Sequence, residues 1–333
     1  MTEATATKIN ETDNHHPSSK PKHHGLGRWS GATLALALAV AGLAAGRLGM
    51  LWPSFDVFTQ LTAQFIMAFA GFALALFVPR QKTLTGVVLL ITFLLLHGMW
   101  PHYASSRPET VAAPPPGMQA LKVASFNTWR MNPTLDALEA EINRLDADVL
   151  VLTEFPPNRA AVAQRLTARY PYHHDCYAVP NCFLMILSKT PLLDTGISDS
   201  VHGHYYLRAR LGPERGSLTV FGVHTLRFPY SAEPFQQASA LRKAVAATPG
   251  PLLVMGDFNA TPYSRLLGDF QDQTGLHRLT SLPTWPATWR FPQIAIDHIF
   301  ASPALTPLSA EHIGDNAGSD HYPVSLTLAV PAP

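Results

Sequence analysis

PLLVMGDFN, residues 251–259, is an apolar run that stops on a glycine, a carboxylate and an amide. An apolar segment of this length reads as a buried strand, and Gly followed by Asp as the turn that ends it. Asp257 and Asn259 then stand where the chain leaves the sheet. Strand ends are rigid supports, and sites assembled there hold polar groups from distant sequence in fixed geometry.

The same signature recurs on both sides of this stretch. LKVASFNT (121–128) reaches Asn127, DVLVLTE (148–154) stops on Glu154, and SLTVFGVHT (217–225) reaches His224. AIDHIFAS (295–302) carries Asp297 and His298, and GSDH (318–321) sets Asp320 and His321 before a last strand, YPVSLTLAV (322–330). FLMILSK (183–189) and YYLRARL (205–211) read as further strands. Between them, TLDALEAEINRL (134–145) puts Leu135, Leu138, Ile142 and Leu145 on one helical face, with Thr134 or Asn132 as its cap. Residues 158–170 and 233–247 read as two more helices. Hairpin-like strands among helices argue against a purely doubly wound parallel sheet. An α/β sandwich of two packed mixed sheets with outer helices fits best.

Taken singly, each polar residue says little, since a Glu after a strand is usually a solvated end and a lone His a packed one. Their joint appearance is the signal. Carboxylate, amide and imidazole without thiolate suit a hard cation, Mg2+ or Mn2+. The sequence has no HExxH or Cys/His zinc spacing, no GxxxxGK[ST] loop and no GxSxG elbow.

In this order and spacing, FNT, LTE, GVH, GDFN, IDHIF and SDH resemble the endonuclease/exonuclease/phosphatase superfamily, in particular its membrane-anchored bacterial branch. The resemblance implies a four-layer α/β sandwich and a metal-dependent hydrolysis of P–O bonds in nucleic acid or phospholipid. It implies that Glu154 is the principal metal carboxylate, with Asn127 in the same shell and Asp320 at or near the metal. Asp257 would polarise the attacking water, Asn259 would hold phosphate oxygens, and His321 would sit at the scissile phosphate, oriented by Asp297. His224 matches the second histidine of the deoxyribonuclease and sphingomyelinase branches. That histidine, and TE where abasic endonucleases carry QE, depart from the abasic-site pattern. A competing reading of another class is a non-catalytic, membrane-tethered binding module that keeps the fold; retention of Glu154, Asp257, Asn259 and His321 disfavours it. Trp285 and Trp289 either wall a substrate pocket or, the favoured reading, pack a core or loop; His202, His204, Tyr205 and Tyr206 could face substrate but are read as an ordinary strand and turn.

The 333 residues are 47% hydrophobic but only 14% charged, against the usual ~25%. The deficit lies in the first third. Residues 1–28, polar and His-rich, read as a disordered cytoplasmic tail. Within 29–103, Gly31–Leu51, Val57–Val78 and Leu84–Trp100 read as three transmembrane helices, each near the ~20 residues a crossing needs. Arg47, Trp52, Trp100 and Tyr103 stand near their ends, as belt residues do. AGLAAG (41–46) has the small residues of a cleavage site, but the segment before it is long for a signal peptide and two more spans follow.

Lys20, Lys22 and Arg28, then Arg80 and Lys82, assign the N-terminus and second loop to the cytoplasm. The catalytic domain, 121–333, is then periplasmic or extracellular, behind a Pro/Ala-rich linker (104–120) that holds it a short distance from the bilayer. Cys176 and Cys182 are either unrelated thiols or, in that compartment, a disulfide. From residue 117 onward, 16 basic residues face 18 acidic ones, which disfavours a broadly basic, nucleic-acid-tracking surface.

Overall fold

The computed structural model describes residues 26–49, 51–77, 82–103, 111–228, 230–289 and 293–333. The expected tail through residue 25, the linker residues 104–110, and the flanking Lys20, Lys22 and Arg80 lie outside the described residues.

The chain begins with helix α1 (Leu26–Leu48), a 3-10 helix (Pro53–Leu61), α2 (Thr62–Phe77) and α3 (Lys82–Tyr103). α1 packs on α2, and α2 on α3. Among the described residues, one helical run, Pro53–Ala75, is long and apolar enough to cross a membrane; Thr33–Leu48 and Thr85–Leu95 are shorter apolar stretches. Three helices therefore stand where three spans are expected, and one passes the length-and-composition test. Several of their large side chains face outward: Leu34, Leu38, Leu90 and Phe93 are all mostly exposed, while Ile66 and Val88 are buried.

The sandwich follows in chain order: β1 (Met118–Asn127), α4 (Leu135–Leu145), β2 (Val149–Thr153), α5 (Ala160–Leu166), β3 (Tyr172–Asp175), β4 (Met185–Ser188), β5 (Leu192–Ile197) and β6 (Tyr206–Leu211). Then come β7 (Thr219–His224), α6 (Glu233–Ala246), β8 (Leu252–Asp257), α7 (Arg265–Thr274), β9 (His277–Arg278), β10 (Asp297–Ala301), β11 (Thr306–Pro307), β12 (His312–Ile313) and β13 (Val324–Pro331). One sheet runs β11-β13-β1-β2-β4-β3, with β12 also on β13; the other runs β5-β6-β7-β8-β10-β9. β1 and β2 are parallel, as are β7 and β8, while their outer neighbours are antiparallel.

Period-two alternation sorts the strand residues into layers. Leu121 and Val123 of β1 and Val149 and Val151 of β2 point between the sheets, where they meet Leu207, Val220, Leu253, Met255 and Ile299. Their alternates, Ala124, Phe126, Leu150 and Leu152, face α4 and α5 through Leu138, Ile142, Val162 and Leu166. On the far side, Phe221, Val254 and Phe300 face α6 and α7 through Leu241, Leu266 and Phe270. The result is four layers, and strands covered on both faces read as continuous apolar runs.

Three features differ from the sequence reading. The helix expected over 158–170 is a 3-10 turn, Pro157–Arg159, followed by the short α5. α7, a mostly polar helix that buries only Leu266, Leu267 and Phe270, and the edge strands β3 and β5 are elements the sequence reading did not include. The sandwich also touches the helical third directly: Gln64 Nε2 donates to Gln293 O at 2.9 Å, and Asp56 and Gln60 bond the 261–265 loop. Buried polar groups in the 53–64 turn need partners, and they find them on the sandwich.

Candidate active site

Strand register brings the polar strand ends together. Asn127 pairs with Thr153 across β1 and β2, so Asn127 and Glu154 leave one sheet side by side. In the other sheet, His224 pairs with Asp257, and Asp257 with Asp297. Gly256 permits this tight centre: it sits at φ +148°, and a Cβ there would meet Val223 O at 1.8 Å.

Asn127 Nδ2 donates to Asp257 Oδ2 at 2.9 Å, joining the two sheets. His321 Nδ1 donates to Asp297 Oδ2 at 2.8 Å, and Thr284 Oγ1 donates to the same oxygen at 2.6 Å. This leaves His321 Nε2 facing Asp257 Oδ2 at 3.8 Å and Asp320 Oδ1 at 3.9 Å. His224 Nε2 stands 3.8 Å from Glu154 Oε1 and 3.7 Å from Asp257 Oδ2. Ser319 Oγ donates to Asn127 O at 2.7 Å and accepts His321 N–H at 3.1 Å, which ties the GSDH loop to the end of β1. All eight expected residues thus gather at one mouth. His298 does not: it is fully buried, points to Ala260 O at 2.9 Å and belongs to the packing.

Glu154 (φ 52°), Asn259 (φ 47°) and Trp129 (φ 50°) adopt the left-handed backbone conformation. That costs roughly 1–2 kcal/mol for a residue with a side chain, and such strain clusters at functional sites.

The electrostatics are those of a crowded, half-dry site. Burial, reinforced by the charge of Asp297, pushes the Asp257 carboxyl up to about 7. Burial alone would lower His321, but the charge and hydrogen bond of Asp297 carry its imidazole up to about 9. Burial also opposes the ionised Glu154; His224 and the Arg130 N–H outweigh it and hold the carboxyl below its ordinary value. His224 itself is lowered by burial, against the pull of Glu154.

The donors fit a hard divalent cation. Asp320 Oδ1 and Asp297 Oδ1 are buried without a hydrogen-bond partner among the described residues, a costly state that a cation relieves. Asp257, Asp297 and His321 offer ligand atoms within 4.8 Å of one another. Asp297 Oδ2 and His321 Nδ1 are spent on each other and Asp297 lies behind the cavity, so Glu154 and Asp320, which line it, are the better-placed carboxylates. Asn127, expected as a ligand, donates Nδ2 to Asp257 and accepts the Trp129 N–H on Oδ1, whose second lone pair is open to a cation.

Glu154, His224, Asp257, Asn259, Asp320 and His321 line a cavity of about 550 Å³ whose walls also include Trp129, Arg130, His204, Arg227, Phe228 and Trp285. Trp285, read as packing, is a wall residue: it meets Phe228 edge-on and its Nε1 donates to Asp320 Oδ2 at 3.3 Å. His204, read as an ordinary turn residue, points its Nδ1 at His224 O at 3.3 Å. Thr284 and Ser319 carried no signal, because hydroxyl residues are common in any loop. Of the two readings left open for the cysteines, the structure shows the bonded one: Cys176 and Cys182 form a disulfide, and Asn181 and Phe183 on either side of Cys182 line the cavity.

The model of the Endonuclease/Exonuclease/phosphatase family matches residues 124–321, more than half of the chain. No curated protein matches the sequence. Among solved structures, an endonuclease/exonuclease/phosphatase protein from Bacteroides vulgatus is similar at TM-score 0.54 and 19% identity, covering 64% of this chain and 99% of that one. A mutant beta toxin from Staphylococcus aureus with bound magnesium ions is similar at TM-score 0.50 and 14% identity, covering 64% and 100%. A humanized D. rerio TDP2 is similar at TM-score 0.50 and 17% identity, covering 63% and 98%. Likeness at such identity concerns the fold alone.

Proposed function

The chain belongs to the endonuclease/exonuclease/phosphatase family, and from that premise we propose that it is a membrane-anchored, divalent-metal-dependent phosphodiesterase that hydrolyses P–O bonds by in-line attack of water. The observation that carries the reading is the convergence of Glu154, Asp257, Asn259, His224, Asp320 and His321 on one cavity, with Asp297 behind His321.

Glu154 and Asp320 would hold Mg2+ or Mn2+, which when bound supplies charge neutralisation at the phosphate and the leaving oxygen. Asp257 polarises the attacking water and accepts its hydrogen bond. Asn259 already donates one amide hydrogen to Thr225 O at 3.0 Å; its second is the donor for a phosphate oxygen. With Nδ1–H held on Asp297, Nε2 carries a proton only in the imidazolium, the form that Asp297 favours by raising His321, and that imidazolium donates from Nε2 to the phosphoryl group. His224 adds a second imidazole donor on the opposite wall. Arg130 and Arg227 on the cavity wall suit an anionic substrate.

Phospholipid rather than nucleic acid is the substrate class we favour. Met131 and Tyr230 line the cavity yet are 67% and 59% exposed, an apolar rim beside basic residues. The slightly acidic domain lacks the charge excess of a nucleic-acid tracker. Outward apolar side chains on α1–α3 support the bilayer anchor. The basic flanks and the Cys176–Cys182 disulfide support an outer-side catalytic domain.

The test uses the full chain in detergent micelles. Bis-p-nitrophenyl phosphate, sphingomyelin, other phospholipids, DNA and RNA are each offered with Mg2+, with Mn2+ and with EDTA. Metal-dependent turnover, lost with EDTA and favouring a lipid headgroup ester, is expected. No metal-dependent turnover of any substrate leaves the non-catalytic binding module as the reading.

A further inference from the structure

The turn before α2 buries three polar residues, Asp56, Thr59 and Gln60. Between two apolar helices that burial is costly unless every group is paired. The partners lie far away in sequence, on the loop that leaves β8 through Asn259. Asp56 Oδ2 accepts Ser264 Oγ–H at 2.5 Å, and Oδ1 accepts Arg265 N–H at 2.9 Å. Gln60 Oε1 accepts Thr261 N–H at 2.6 Å, and Thr261 Oγ1 donates to Thr59 O at 3.4 Å. Ser264 is also the N-cap of α7, accepting Leu266 N–H at 3.1 Å. The first turn of α7 is thus completed partly by its own cap and partly by a carboxylate from the helical hairpin.

The inner face of the same loop belongs to the active site. Asn259 N–H donates to Asp257 Oδ1 at 2.8 Å, and Ala260 O meets His298 Nε2 at 2.9 Å. The loop is itself buried, with Thr261 and Ser264 almost without exposure. A largely apolar cavity of about 810 Å³ lies between α1, α2, α3 and Pro262–Arg265. From that direction the loop is held by hydrogen bonds from Asp56 and Gln60. The left-handed Asn259 sits between the two sets of restraints, and such a conformation persists only where its surroundings over-determine it.

We infer that Asp56 and Gln60 are positioning residues of the active site. They act through Thr261, Ser264 and Arg265 to hold Asn259 in register with Asp257 and His321. The helical hairpin is then a working part of the catalytic unit as well as its tether. This inference rests on the hydrolytic reading above.

The test compares full-length wild type, Asp56→Ala, Gln60→Ala and Asp56→Asn in lipid nanodiscs. Deuterium uptake over residues 257–266 is read beside turnover of bis-p-nitrophenyl phosphate with Mg2+. Both alanine variants should raise uptake over 257–266 while leaving β7 (219–224) as protected as in wild type. A 1 Å misplacement near the reacting atoms costs up to about 100-fold, so kcat should fall about 10- to 100-fold with KM within about twofold. Asp56→Asn still accepts the Arg265 N–H and can donate to Ser264 Oγ, so it should recover most of both signals. Unchanged uptake over 257–266, or raised uptake with wild-type kcat, overturns the inference. A wild type without metal-dependent turnover sinks the hydrolytic reading itself and the catalytic part of this one with it. A variant with raised uptake over β7 as well has lost its fold, and the Asp56→Asn recovery then decides: no recovery overturns the inference.

Discussion

Leucine has opposite surroundings in the two regions of this molecule. In the sandwich, Leu121, Leu150 and Leu253 are fully buried, while in the helical third Leu34 is 62% exposed, Leu38 61% and Leu90 57%. The sandwich makes its own apolar interior by stacking four layers. The helices turn theirs outward, where a bilayer would meet it. Composition alone cannot separate the two cases, since both read as apolar runs. What separates them is punctuation: the sandwich runs are short and end on polar groups, whereas the helical runs continue.

One paired substitution attacks this contrast directly and carries the largest effect. Leu150→Asp places an unpaired charge between β2 and its helices and should abolish the folded sandwich, a loss of about 4 kcal/mol or more. Leu90→Asp should leave the sandwich folded and cost about 3 kcal/mol of membrane insertion. Circular dichroism and alkaline extraction of membranes read the two outcomes. An unimpaired membrane fraction for Leu90→Asp would place that face of α3 in water and erase the contrast.

His321→Ala sharpens it from the other side. Turnover of bis-p-nitrophenyl phosphate should drop about 10³-fold, the scale of a lost general acid or base, with membrane extraction unchanged. Retained turnover would move the chemistry away from the Asp297–His321 couple.

The smallest effect is on stability against pH, and it too belongs to the sandwich alone. Asp257 and His321 are both raised in the folded protein, to about 7 and about 9. A raised group binds its proton more tightly folded than unfolded, so its contribution is complete below the unfolded value and fades as pH climbs through the folded one. The metal-free sandwich should therefore lose thermal stability between about pH 4 and 7 from Asp257 and between about pH 6.5 and 9 from His321. Asp297→Asn removes the partner that raises His321 and should flatten the upper limb in a melting series with EDTA. An upper limb unchanged in that variant would contradict the pairing.

The architecture was legible in the sequence wherever strands are covered on both faces. LKVASFNT, DVLVLTE and PLLVMGDFN each read as an apolar run that halts on its functional residue, and each is a central strand. Elements whose stability comes from elsewhere were not legible. RLLGDFQDQT, now α7, is mostly polar with a glycine inside, and Asp56, 209 positions away, completes its first turn. β3 and β5 are sheet-edge strands with exposed positions and no clean alternation. The site residues were legible as a set, because packing gives no reason for so many polar strand ends. The cavity walls were not: Trp285 has the same sequence signature whether it fills a core or faces a substrate. Nor could spacing reveal that the Asn127 amide would be spent on Asp257.

That same amide has a wider meaning. It is a stitch across a seam, with Asn127 and Glu154 on one leaf and His224, Asp257, Asn259 and Asp297 on the other. Neither leaf owns a full set of tools. A slip of one leaf past the other by a fraction of a side-chain width would leave the oily filling between them almost untouched, yet it would part the groups that must act on a single phosphorus. On the proposed chemistry, hydrolytic rate becomes a vernier for leaf alignment, able to register displacements that melting curves pass over.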